Sequence, residues 1–306
     1  MILIKRNKAT DVDGNVVNIR PNAHETVSVK SAGNVTEIKY VRYRGKGGTT
    51  KKLSKTEYVD TRTGEIKQFN PQIKRTDDIV SVVRTIKQGR DIIRANCFEP
   101  RLCRFLTLTY ADNMTDPKKL ANDYKNFLKR LPEDIKPYKW VSAVEPQKRG
   151  AWHLHVIFVY QTEAPYVENS VIRNAWKQGF VRVEAVDDVD DIGAYLCAYL
   201  TDVDVSDEVI KPNADYKTVI DKDTGTPKRI QKGARLCMYP AGMHIFRWSK
   251  NCIKPSLEIM TSTKADERIK NHTLVYENTS YIEDTESGFK NTINTRVYNK
   301  ARKVLV

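Results

Sequence analysis

The sequence predicts an α+β fold in which helices pack on one side of an antiparallel β-sheet. Between residues 76 and 205, apolar stripes at helical spacing alternate with short runs rich in β-branched and aromatic residues. Two of those runs are separated only by a short polar segment that ends in Gly150, which favours an antiparallel hairpin. The chain is 40% hydrophobic and 29% charged, which is enough apolar content to form a core.

Capping residues and a proline predict where two of the helices begin. Asp77 or Asp78 can cap the first helix, and Pro117 at the first helical position is typical of a helix start. The predicted elements, in order, are a helix that ends near residue 96, a strand over 104–110, a helix over 117–131, strands over 138–144 and 152–158, a helix over 167–177, a strand over 179–186 and a helix over about 189–200.

Four aspartates mark the start of the last helix, where carboxylates complement the helix dipole. They are Asp187, Asp188, Asp190 and Asp191. The resulting order, β-α-β-β-α-β-α, indicates a ferredoxin-like or RNA-recognition type of fold.

Charge divides the chain into three segments. The formal net charge is +14 and the sequence pI is about 9.4, which favours a polyanionic partner, most simply nucleic acid. Residues 1–75 carry 16 basic and 7 acidic residues, residues 76–205 carry 18 and 19, and residues 206–306 carry 18 and 12. We therefore predict a basic N-terminal segment that is a candidate DNA-binding arm, a near-neutral core, and a C-terminal extension whose role the sequence does not define.

The sequence predicts a cytoplasmic protein. No apolar run is long enough to cross a membrane, and the apolar start of the chain is cut short by Lys5 and Arg6, so we expect no signal peptide and no membrane partner. The five cysteines are odd in number and match no zinc spacing, so we expect buried thiols in a reducing compartment.

A run of basic residues without an acid lies between residues 41 and 55, flanked by Tyr40 and Tyr43. The basic residues are Arg42, Arg44, Lys46, Lys51, Lys52 and Lys55. Basic side chains near aromatic rings suit a phosphate backbone with some base stacking. A solvated, partly disordered arm explains the same composition equally well.

Two histidines share one face of the strand over residues 152–158. Side chains of a strand alternate between faces, so His153 and His155 point the same way. Glu145 precedes them across the predicted hairpin and can reach that face, which would give a His-His-Glu set suited to Mg²⁺ or Mn²⁺. Taken alone, Glu145 is better explained as a solvated partner of Lys148 or Arg149.

Tyr195 and Tyr199 are four residues apart on a predicted helix, so they share a face. Without further context they are better explained as core tyrosines.

Three motifs in this order resemble those of HUH endonucleases: residues 105–110, with the sequence Phe-Leu-Thr-Leu-Thr-Tyr, then His153-x-His155, then Tyr195 and Tyr199. The resemblance is closest to rolling-circle replication initiators of bacterial plasmids and filamentous phages, of the replication-associated ORF2 or gene 2 protein type. It covers about residues 100–205.

The resemblance implies a site-specific endonuclease that nicks and rejoins single-stranded DNA at a replication origin. Tyr195 would be the primary nucleophile, forming a covalent 5′-phosphotyrosine, and Tyr199 a second one. His153, His155 and Glu145 would hold Mg²⁺ or Mn²⁺. The implied partners are single-stranded and supercoiled origin DNA and the helicase and polymerase of a bacterial host, since the chain carries no P-loop motif of its own.

One position departs from the family pattern. The family often has Lys three residues after the first motif tyrosine, where this chain has Ala198, and Asp202 stands at the same distance from Tyr199. Two other functions therefore stay open. One is a relaxase or tyrosine transposase with the same site, and the other is a DNA-binding repressor that has kept the fold and lost the chemistry.

Overall fold

The structure is a computed structural model. It describes residues 4–8, 19–44, 50–54, 56–69, 79–147, 150–186, 191–193, 196–197, 203–204, 216–220, 227–231, 238–240, 242–284 and 290–302. The chain forms two compact units, of which one combines Met1–Pro71 with Pro255–Val306 and the other is Gln72–Lys254. Over the described ranges, no helix has the length and apolar character needed to span a bilayer.

Helices and strands follow one another through residues 79–185 of the second unit. The helices are α1 Ile79–Asn96, α2 Pro117–Arg130, α3 Asn169–Trp176 and α4 Ser262–Arg268, with short 3-10 helices at Pro100–Leu102 and Glu133–Ile135. The strands are β1 Ile4–Lys8, β2 Thr26–Ala32, β3 Val35–Val41, β4 Thr50–Lys52, β5 Glu57–Asp60, β6 Ile66–Gln68, β7 Cys103–Thr109, β8 Lys139–Pro146, β9 Trp152–Val159, β10 Val181–Ala185, β11 Val203–Asp204, β12 Tyr216–Ile220, β13 Pro227–Gln231, β14 Phe246–Trp248, β15 Ser256–Thr261, β16 Thr273–Asp284 and β17 Lys290–Asn299.

The sheet of Gln72–Lys254 is antiparallel throughout, in the order β10-β7-β9-β8-β14. This antiparallel sheet and the helices packed around it confirm the predicted α+β class. The outer strand β14 pairs with β8, and Tyr239 donates a hydrogen bond of 2.7 Å to the carbonyl of Val144. Part of the segment that the sequence assigned to the C-terminal extension therefore completes this sheet.

Two helices cover the face of the sheet that carries the even-numbered residues of β9. Leu154, Val156 and Phe158 on this face are fully buried. Phe127 of α2 lies 6.2 Å from Phe158 and 5.9 Å from Trp176 of α3, ring centroid to centroid. The helix α2 begins as predicted, because the Asp116 carboxylate accepts a hydrogen bond from an amide of the first turn and proline follows it.

The helix α1 lies against the opposite face. A Cβ added at Gly89 would lie 2.5 Å from the ring of Phe246, so the helix backbone is in contact with that ring. Phe246 is paired with Ala143 of β8, which is itself paired with His155 of β9. Paired residues of neighbouring antiparallel strands share a face, so α1 covers part of the face that carries the histidines.

The first unit is built on a six-stranded antiparallel sheet in the order β1-β16-β17-β3-β2-β15. Strands from both ends of the chain pair directly, since β17 lies beside β3 with Ile293 opposite Val41. Ala265 of α4 packs with Val29 and Ile38 in a small apolar core. The two basic flanks, which are separate segments in the sequence, are joined by this pairing in one sheet.

Replacing Phe127 with Ala should lower the free energy of unfolding of Gln72–Lys254 by about 3–5 kcal/mol, because it leaves a cavity beneath the sheet. All four tryptophans lie in this unit, so tryptophan fluorescence during urea unfolding reports on it alone. Tyr138→Ala is the control, because that ring is 49% exposed, and it should change the free energy by less than about 0.5 kcal/mol. Equal losses for both variants would contradict the packing described.

Candidate active site

The central strand β9 positions the candidate site. It is paired with β7 on one side and β8 on the other, so that His153 lies opposite Thr109 and Glu145, and His155 lies opposite Thr107. These residues therefore point to the same face of the sheet. Beyond β8, the amide of Gln147 donates a hydrogen bond of 2.8 Å to the carbonyl of Ala151, which continues the pairing of the two strands.

The structure brings Glu145, His153 and His155 together. Each offers one ligand atom, and the three atoms lie within 4.8 Å of one another. Glu145 is 7% exposed and His155 is 6% exposed, and a carboxylate oxygen of Glu145 is hydrogen-bonded to Nε2 of His155. Because Glu145 is buried, it is not the solvated carboxylate that the sequence alone favoured.

Two further residues of β7 contact the cluster. Oγ1 of Thr107 lies 3.4 Å from Nδ1 of His155, and the ring of Phe105 stacks on the imidazole at 5.5 Å between centroids. A histidine that binds a metal through one ring nitrogen usually donates a hydrogen bond from the other, and Thr107 offers the oxygen for it. Neither role was predicted from the sequence. Phe105 and Thr107 stand two positions apart in the motif over residues 105–110, which predicts that they share a face of the strand. Only the strand pairing in the structure shows that this face is the one that carries His155.

The electrostatics of the cluster fit a divalent cation. Burial lowers the pKa of His155 to about 4, and the Glu184 carboxylate opposes this shift. The imidazole is therefore neutral near pH 7 and has a lone pair to offer. Two imidazoles and a carboxylate are a suitable donor set for Mg²⁺ or Mn²⁺, with coordination positions left for water or phosphate. Over the described ranges, no other set of three or more acidic, histidine or cysteine side chains comes together in this way.

The predicted nucleophiles Tyr195 and Tyr199, and Ala198 beside them, lie outside the described residues. Residues close to them in sequence are described. Ile192, Gly193, Leu196 and Cys197 are helical, in agreement with the helix predicted over residues 189–200. Ile192, Leu196 and Cys197 are also buried, so the helix segment packs into the core of its unit.

The helix α1 anchors this segment. Nε of Arg94 lies 3.0 Å from both carboxylate oxygens of Asp191, and a terminal nitrogen of the guanidinium completes the contact. A Cβ added at Gly193 would lie 2.8 Å from the carbonyl oxygen of Arg90, so glycine allows the two backbones to approach closely. The sequence pattern assigned Asp191 to the helix dipole, whereas the structure shows that it forms an ion pair.

The basic run is only partly described. Arg42, Arg44, Lys51 and Lys52 are exposed, whereas Lys46 and Lys55 lie outside the described residues. Of the two flanking aromatic residues, Tyr43 is 55% exposed. Tyr40 is buried and its hydroxyl donates a hydrogen bond of 2.5 Å to Glu25. Tyr40 is therefore not available to stack on a base, and the role of the basic side chains in DNA binding stays a prediction.

The fold and the cluster together define an α+β domain with a candidate divalent-metal site on its central strand. Residues 103–204, one third of the 306-residue chain, match the model of a family of replication-associated proteins, the one that groups ORF2 proteins with gene 2 proteins. This confirms the resemblance predicted from the three motifs, and it supports a replication-associated protein. A comparison with curated proteins finds no match.

Replacing Arg94 with Met should lower the free energy of unfolding of Gln72–Lys254 by about 3 kcal/mol, because it removes the largely buried guanidinium that pairs with the carboxylates of Asp191 and Asp91. The side chains of Arg94 and Asp191 are 11% and 20% exposed. Arg101→Met is the matched control, since that arginine pairs with Glu99 but is 74% exposed, and it should have almost no effect. Urea unfolding followed by tryptophan fluorescence measures both, and equal effects would argue against a buried anchor.

Proposed function

We propose that this protein starts rolling-circle replication by nicking and rejoining single-stranded DNA at an origin. The observation that carries the proposal is the buried cluster of Glu145, His153 and His155 inside the stretch that matches the replication-associated family. An ordinary structural role is a poor explanation of the cluster. Burying Glu145 and His155 on neighbouring strands of the core, with His153 half-buried beside them, costs stability that an apolar set would not cost.

In this proposal, Glu145, His153 and His155 hold the cation and Thr107 orients His155. A bound Mg²⁺ or Mn²⁺ would neutralise the charge of the scissile phosphate and stabilise the leaving oxygen. The chain itself supplies the surroundings. Phe105 covers one side of the His155 ring, and burial keeps that imidazole neutral, so that it has a lone pair for the cation at neutral pH.

The proposed nucleophile is the hydroxyl of Tyr195. Its proton passes to solvent, its oxygen attacks the phosphorus, and a phosphotyrosine bond forms at the 5′ end of the cut. The bond to the 3′ oxygen breaks, and that oxygen takes up a proton and leaves as a 3′-hydroxyl. In rejoining, a 3′-hydroxyl attacks the phosphotyrosine and releases the tyrosine. The covalent bond conserves the energy of the phosphodiester, so no nucleotide cofactor is required. Tyr199, four residues further along the sequence, would cleave the regenerated site at the end of a round.

Two alternatives rest on specific features. The residue three positions after Tyr195 is Ala198, where HUH endonucleases often have a lysine. Because this lysine is missing, one alternative is a repressor that binds DNA and does not cut it. Under the nuclease proposal, another lysine or arginine takes the place of that lysine. A relaxase or transposase would share the same chemistry and differ in the DNA it acts on.

The proposed setting is the cytoplasm of a bacterium that carries a plasmid or phage. The substrate would be supercoiled and single-stranded origin DNA. The chain has no P-loop motif, so a host helicase would unwind the duplex and a host polymerase would extend the free 3′-hydroxyl.

Nicking should depend on a divalent cation through this one site. With the supercoiled plasmid or phage genome that encodes the chain as substrate, the His153→Ala, His155→Ala double variant should lose nicking in Mn²⁺ and keep DNA binding in EDTA. Thr107→Val should lower Mn²⁺ affinity by roughly 10–100-fold, since it removes only the partner of the histidine. Gel assays of nicking and titration calorimetry with Mn²⁺ measure the two effects. Nicking by the double variant without added metal would refute the metal site.

The two tyrosines should play different parts. Tyr195→Phe should lose initial nicking, because it removes only the hydroxyl, while Tyr199→Phe should nick normally and fail in repeated strand transfer. The readout is the covalent adduct between protein and oligonucleotide on a denaturing gel, mapped by mass spectrometry. An adduct only on Tyr199 would reverse the assignment. If wild-type protein forms no adduct in Mn²⁺ yet binds origin DNA, the repressor alternative holds.

A further inference from the structure

A small three-stranded sheet within Met1–Pro71 presents two chemically different faces. In the antiparallel order β4-β5-β6, Lys52 lies opposite Tyr58, which lies opposite Lys67. The neighbouring register positions carry Lys51, Val59 and Ile66, in the same order across the strands. Because side chains alternate along a strand, the first set shares one face and the second set shares the other.

The first face also carries an aromatic pair. The ring of Phe69 lies 4.8 Å from that of Tyr58, centroid to centroid, with the planes tilted by 37°. The amide of Phe69 donates a hydrogen bond of 2.8 Å to the carbonyl of Thr56, which fixes Phe69 beside β5. Phe69 is 43% exposed, and Nζ of Lys52 lies 5.7 Å from its centroid. We call Lys52, Tyr58, Lys67 and Phe69 the aromatic face.

Hydrogen bonds within the two connecting turns stabilise this sheet. Oγ of Ser54 accepts hydrogen bonds from the amides of Thr56 and Glu57 at 3.1 and 3.0 Å, which closes the turn between β4 and β5. The carboxylate of Asp60 accepts a hydrogen bond of 3.0 Å from the amide of Arg62 in the next turn. The aromatic face is therefore held in place before any ligand arrives, which lowers the entropy lost on binding.

We propose that the aromatic face binds single-stranded DNA, with bases stacking on Tyr58 and Phe69 and with Lys52 and Lys67 on the adjacent phosphates. The proposal for the aromatic face rests on the proposed function, because it assumes that the protein acts on DNA. Tyr58 is half-buried and Phe69 is exposed, and accessible aromatic rings beside lysines are the combination that binds unpaired strands. The bases of a duplex are stacked on one another and do not offer their faces, so the unpaired strand is the occupant that fits.

Charge supports the same occupant. Residues 1–75 carry 16 basic against 7 acidic residues. Nζ of Lys67 lies 3.0 Å from a carboxylate oxygen of Glu65, but both side chains are about half exposed, at 45% and 62%. Such an ion pair contributes little and can be exchanged for a phosphate. A purely structural pair of rings would be covered, whereas Phe69 keeps a large exposed area with an ammonium group beside it.

The register offers a matched test, because Lys51 and Lys52 are neighbours in sequence and lie on opposite faces. With full-length protein and a fluorescein-labelled oligo(dT) of about 20 nucleotides in EDTA, fluorescence anisotropy should show that Phe69→Leu weakens binding at least about fivefold. Lys52→Gln should weaken binding and reduce the slope of log affinity against log salt by about 0.7. Lys51→Gln, on the other face, should weaken binding less than Lys52→Gln does, and Ile66→Ala should leave both the affinity and the slope unchanged.

A second measurement does not depend on variants that could disturb the small sheet. Oligo(dT) with 5-iodouracil substitutions, photocrosslinked to wild-type protein, should attach to Tyr58 or Phe69 in peptide mapping. Three results would each overturn the proposal. They are crosslinks found only at other residues, equal effects of Lys51→Gln and Lys52→Gln on binding, and a loss of duplex binding in Phe69→Leu equal to its loss of single-strand binding. These assays contain no metal and no origin sequence. The nuclease proposal would fail if no covalent adduct formed in Mn²⁺, and that result is independent of these binding assays.

Discussion

The register of β9 between β7 and β8 is the constraint on which the candidate site depends. In this register Leu154, Val156 and Phe158 are buried beneath α2 and α3, while His153 and His155 face Thr109, Thr107 and Glu145. A slip of one residue would turn each side chain to the other face, placing imidazoles in the apolar core. The core therefore fixes the site, because the energy that holds the apolar side chains in place also selects the face of the histidines.

The helix α1 connects that face to the segment around the predicted nucleophile. It meets the sheet through Gly89, which lies against Phe246, and it meets the helical segment through Arg90 and Gly193. Glycine at each contact lets a backbone approach closely, and the ion pair of Arg94 with Asp191 adds a directional link. The helix α1 therefore contacts both the face of the sheet that carries the histidines and the segment that contains Asp191 and Gly193.

Side-chain alternation and spacing predicted part of the site. The shared face of His153 and His155, and the reach of Glu145 across the hairpin, follow from a period of two and a short turn. The ion pair of Arg94 with Asp191 could not be predicted, because the two residues are 97 positions apart and each also fits a local explanation. Likewise, nothing in the run from residue 41 to 55 distinguishes the buried Tyr40 from the exposed Tyr43, since burial depends on what packs above a strand.

By itself the sequence determined the α+β class, the order of elements from α1 to β10, and the motifs that resemble the replication-associated family, because these depend on local periodicity and on residue identity. Only the tertiary structure decided that Glu145 is buried, that Thr107 and Phe105 contact His155, that β14 completes the sheet, and that strands from both ends of the chain share one sheet. These features join residues far apart in sequence. Their placement follows from packing and strand pairing, which a local pattern does not specify.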